Sequence, residues 1–122
     1  MAKVKSIEEL IRLKEAKEKK RNEVREVYIK SIDSNVKYKM ADRIQIIKAQ
    51  ELGKYEADAA LVYDNVVEPN LKDRTLQDAY GCNFPMEIVD KLFDPSEVVE
   101  ISLSIIGQRN VVSEVDKEIK NS

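Results

Sequence analysis

The sequence predicts a mainly α fold with a small β-hairpin, an α+β arrangement in which a compact helical domain follows a charged N-terminal helical arm. Apolar residues recur at helical spacing from residue 42 onward, while one stretch, residues 27–40, is rich in β-branched and aromatic side chains instead. Before both, residues 1–23 are densely charged and carry few apolar groups. A chain of 122 residues fits one folding unit. The expected division is therefore an arm at 1–23 and a single domain at 24–122.

The arm opens on Ser6-Ile7-Glu8-Glu9, a capping-box sequence in which serine and glutamate satisfy each other's amides. Ile7, Leu10 and Ile11 then share a face and Leu13 follows, but Lys14–Arg21 adds only Ala16. Glu8/Arg12, Lys14/Glu18 and Glu15/Lys19 stand four apart, where an ion pair supports a helix by about 0.2–0.5 kcal/mol. That is too little to dock the helix anywhere.

Next, Val27–Ile32 and Val36–Met40 read as two strands joined by the turn formers Asp33-Ser34-Asn35, giving a hairpin over 27–40. Val36, Tyr38 and Met40 alternate with Lys37 and Lys39, so one face is apolar and must rest on helices. Asp42 can cap a helix over 42–52 that carries Ile44, Ile47 and Leu52, with Gly53 as its stop. A central helix over 55–67 is apolar around most of its circumference through Ala57, Ala59–Tyr63, Val66 and Val67, which marks it as core. Pro69 is expected to end it. Short helices follow over 75–80, closed by Gly81, and over 85–93, where Ile88, Val89, Leu92 and Phe93 form one face. Asp94-Pro95-Ser96-Glu97 combines an N-cap, a first-turn proline and an N3 glutamate, and opens a helix over 95–106. A last helix is expected over 111–120 from Val111, Val112, Val115 and Ile119.

Composition speaks against catalysis. Histidine is absent, which removes the commonest general base and metal ligand. Cys82, the sole cysteine, has neither a histidine nor a CxxC partner, and reads as a small buried or half-buried residue. Asp73, Asp78, Asp90 and Asp94 match no calcium loop and serve as turn, cap or surface residues. With three glycines and no phosphate-cradling loop, nothing in the sequence supports ATP or NAD. No enzyme activity, cofactor, metal or small-molecule substrate is expected.

Residues 1–30 hold ten Lys/Arg against six Asp/Glu, whereas residues 56–100 hold three against eleven. The acidic middle argues against a phosphate backbone, so nucleic acid is not an expected partner. The amino terminus lacks the apolar core of a secretory signal, and the longest apolar runs fall short of the roughly 20 residues that span a bilayer. No membrane role and a cytoplasmic location are expected.

A specific pattern runs from Val66 to Glu97: Val66-Val67-Glu68-Pro69-Asn70-Leu71-Lys72-Asp73, then Leu76-Gln77-Asp78-Ala79-Tyr80-Gly81, then a short apolar helix and Pro95-Ser96-Glu97. This resembles the XkdN-like tail assembly chaperones of Gram-positive phages and prophages. The charged first helix and the hairpin strand Val27–Ile32 are similar as well, and the likeness thins beyond Gly107. The resemblance implies a non-catalytic protein of the bacterial host cytoplasm that binds the tape measure protein, with the tail-tube protein as a further partner. It would keep the tape measure soluble during tail morphogenesis and be absent from the mature virion. Self-association is left open.

Pro69, Asn70, Leu71, Asp73, Leu76, Tyr80 and Gly81 carry over as pattern positions and read as scaffold. Pro69 stops the central helix, Asn70 and Asp73 bond within turns, Leu71, Leu76 and Tyr80 fill the core, and Gly81 permits a left-handed helix stop. Ile7, Leu10, Ile11 and Leu13 are the candidate partner-binding residues, because an arm with so few apolar groups can fold onto another helix. The competing readings are a structural tail or connector protein kept in the virion and a small regulator that binds DNA through the basic arm.

Overall fold

The computed structural model describes residues 3–107. The helix expected over 111–120 lies outside them.

The arm is two helical segments, α1 (Ile7–Arg12) and α2 (Lys14–Arg21), meeting at Leu13. The capping box forms: the Glu9 amide donates to Ser6 Oγ and the Ser6 amide to Glu9 Oε1, both at 3.2 Å. Neither segment buries a residue. The ion pair seen on the arm is Lys5–Glu9 at 4.0 Å, an exposed contact of little energetic weight.

The hairpin pairs β1 (Val24–Ile29) with β2 (Ser34–Lys39) in antiparallel register, Val27 opposite Val36. Its turn falls earlier than the sequence suggests. Lys30–Ile32 forms a single 3-10 turn closed by Asp33 in the left-handed region at φ 45°, so residues 30–32 are not strand. A tertiary contact accounts for the shift. Both the amide and hydroxyl of Ser31 donate to the Glu97 carboxylate, which a strand at that position could not present together. Val27, Ile29, Val36 and Tyr38 face the core, as period-two alternation requires.

α3 (Arg43–Glu51) begins at Asp42, whose carboxylate accepts from the Gln45 amide at 2.8 Å while Gln45 Oε1 accepts from the Asp42 amide. The helix is there, but the apolar residues expected along it are turned outward. Ile44, Ile47 and Leu52 are 64%, 44% and 49% exposed, whereas Ala49 is buried and Ile46 partly so. A small residue at Ala49 lets α3 lie close to its neighbour, α4 (Lys54–Asn65).

The central helix ends at Asn65, two residues before the expected stop, and the chain passes into β3 (Val66–Glu68). This third strand pairs antiparallel with β2, giving the sheet order β1-β2-β3 with an irregularity at Lys37/Tyr38. Pro69 therefore closes a strand rather than the helix, and its peptide bond with Glu68 is cis. Lys37 and Glu68 meet across the strands at 3.1 Å, which holds the exposed Lys37 ammonium above its ordinary value through hydrogen bonding and charge.

α5 (Arg74–Ala79), α6 (Glu87–Leu92) and α7 (Pro95–Ile105) complete the described fold. α4 packs mainly against α7 and α3, with α6 alongside. The core joins Ala59, Leu61 and Val62 of α4 to Ile88 and Val89 of α6, to Val98, Ile101 and Ile105 of α7, and to the sheet. Two polar ties cross it. Ser102 Oγ donates to Asp58 Oδ1 at 2.8 Å, and the Ala41 amide to the Ile105 carbonyl at 2.9 Å.

Candidate functional site

The pattern residues form a structural bracket and do not converge on one cavity. Leu71 is buried, and its carbonyl accepts from the buried Gln77 side chain at 2.8 Å, which fastens the loop after β3 to α5. Asn70 Oδ1 accepts from the Lys72 amide at 3.1 Å, and Asp73 caps α5 by accepting from the Leu76 amide at 2.9 Å. Leu76 packs against the core. Gly81 sits at φ 69°, where a side chain would be strained, and its carbonyl accepts from Lys91 Nζ at 3.0 Å. Tyr80 departs from expectation: it is 42% exposed at the end of α5 and does not fill the core.

Gln77 and Glu97 hold more of the structure together than the sequence discloses. Glu97, at N3 of α7, accepts from the amides of Asp94 and Ser31 and from the Ser31 hydroxyl. Burial pushes its carboxyl up, but the Ser31 hydroxyl and the two amides outweigh this and hold it below the ordinary carboxylate value. Its cap role is legible from the Asp94–Glu97 spacing; its grip on Ser31, 66 residues away, is not.

The candidate partner residues of the arm are open. Ile7, Leu10 and Ile11 are 72%, 48% and 64% exposed, and Leu13 is half-buried. Between the arm and the body lies a groove of about 1000 Å³, walled on one side by α2 and on the other by the start of α3 and the end of α4. Lys17, Lys20 and Arg21 reach it from α2, Lys39 and Arg43 from the body. Met40, Ala41, Ile44 and Val67 supply apolar surface. The sequence marks these residues only as a basic arm and scattered apolar positions; it contains no signal that they meet.

Among the described residues no group of three or more His, Cys, Asp or Glu could hold a metal ion, and no helix is long and apolar enough to cross a membrane. Cys82 is a free, half-buried thiol packed at the edge of the core.

A family model described as phage XkdN-like tail assembly chaperone protein matches residues 2–120. A crystal structure of the protein YqbN is similar in fold, with a TM-score of 0.52 and 16% identity over 70% of this chain and 87% of that one. No curated protein matches.

Proposed function

Because the chain belongs to the phage XkdN-like tail assembly chaperone family, we propose that it binds the tape measure protein and keeps it soluble until the tail tube polymerises, without catalysis of its own. The supporting observation is the arm, whose Ile7, Leu10 and Ile11 lie open to solvent on a helix that buries nothing. Tape measure proteins are long and helical, and an uncovered amphipathic helix aggregates unless its apolar face is shielded. An exposed apolar arm can shield it by helix-to-helix packing, which needs no nucleotide. The complex would form in the host cytoplasm and be given up as the tube assembles.

Co-expression with the tape measure protein of the same phage tests the reading. Full-length chain is expected to raise the soluble fraction of the tape measure, and the variant lacking Met1–Arg21 to raise it less. A tape measure that stays insoluble with the full-length chain overturns the proposal. Finding the protein in purified virions by mass spectrometry would favour a retained structural component instead.

A further inference from the structure

The groove between arm and body has a composition that selects its occupant. Five cations, Lys17, Lys20, Arg21, Lys39 and Arg43, surround it, and none is in an ion pair among the described residues. Only Asp42 and Asp64 oppose them on the lining, and Asp42 is already engaged as the cap of α3. Gathering like charges around one cleft raises the local positive potential and costs stability unless an anion arrives. This happens in a chain whose net charge is -2, so the field belongs to the groove and not to the molecule.

A phosphate or nucleic acid backbone would answer the charge but not the surface beneath it. Met40, Ala41, Ile44 and Val67 make an apolar strip in the same groove, with Ile44 64% and Val67 46% exposed. Cations bordering an apolar strip complement a helix with one apolar face and carboxylates along its edges. We propose that this groove is a docking site for an acidic amphipathic helix, its apolar face on Met40, Ile44 and Val67 and its carboxylates toward Lys17, Lys20 and Arg43. The inference builds on the tape measure reading, and specifies which segments of a helical client would be held: those with Asp or Glu flanking a Leu, Ile or Val stripe.

Two synthetic amphipathic helices with the same leucine face, one carrying glutamate on its polar side and the other lysine, test it against the full-length chain by fluorescence anisotropy. The glutamate helix is expected to bind at least about tenfold tighter, with the advantage shrinking as salt rises. Charge reversal on either wall, Lys17→Glu with Lys20→Glu, or Arg43→Glu alone, is expected to remove most of that advantage, and Ile44→Asp to weaken the glutamate helix while circular dichroism stays unchanged. All four positions are exposed, so the fold tolerates them. Equal binding of the two helices, indifference to charge reversal on both walls, or displacement of the glutamate helix by duplex DNA at low concentration overturns the assignment. The peptide result is independent of the co-expression result: a chain that binds the glutamate helix but leaves the tape measure insoluble keeps the groove and loses the client.

Discussion

Glu97 shows how one side chain can join a hairpin to a helix. Replacing it by alanine strands the amides of Ser31 and Asp94, and losing hydrogen bonds to a charged acceptor costs about 1.5–3 kcal/mol. We expect Glu97→Ala to unfold at clearly lower urea. Its carboxyl lies below the ordinary 4.5 when folded, so the unfolded chain takes up the proton first as pH falls. Glu97 therefore contributes its full stability above pH 4.5 and loses it as pH drops through the lowered folded value. Urea midpoints between neutral pH and pH 3 should fall less steeply for Glu97→Gln than for the parent; parallel curves would show that the carboxylate does not carry this linkage. Half of this residue's role is readable from sequence. A cap is local, fixed by a three-residue spacing, whereas the Ser31 contact exists only once the chain has closed on itself.

Helices and strands divide along the same line. Three helix starts announce themselves by their caps, at Ser6, Asp42 and Asp94, because each donor and acceptor lies within one turn. β3 does not, since Val66–Glu68 is too short to alternate and exists by virtue of pairing with β2. On α3, periodicity identifies a helix with apolar residues on more than one side but not which side is covered; Ala49 decides that by its small size. α4 is legible because it is apolar nearly all round, and Ala60 within it is 8% exposed. Ala60→Asp would place an uncompensated carboxylate there at a cost of about 3 kcal/mol or more, a large part of a domain's stability. We expect insoluble product, or a urea midpoint far below the parent; an unchanged midpoint would contradict the burial of this face. Deleting Met1–Arg21 should do the opposite. The two arm helices bury nothing, so the remaining chain should keep its cooperative transition to within about 0.5 kcal/mol of the parent. A larger loss would mean that Ile7, Leu10 and Ile11 cover a surface on a neighbouring subunit.

At the scale of the molecule, the groove was the least legible feature, because its walls come from residues 17–22, 39–45 and 64–67, which only tertiary structure assembles. The lack of metal-ligand and nucleotide-binding patterns bears on the whole chain too: zinc, calcium or ATP should leave the thermal midpoint unmoved, and a rise of several degrees would reveal a site of another kind. The arm's attachment has a mechanical side as well. α2 runs through Asn22 and Glu23 into β1, an edge strand of the sheet, whose six residues are laid against β2. Traction on the arm therefore enters the ladder at Val24, opposite Lys39, the end at which the chain also leaves β2 for α3, so the rungs are opened one after another from that end like a zip.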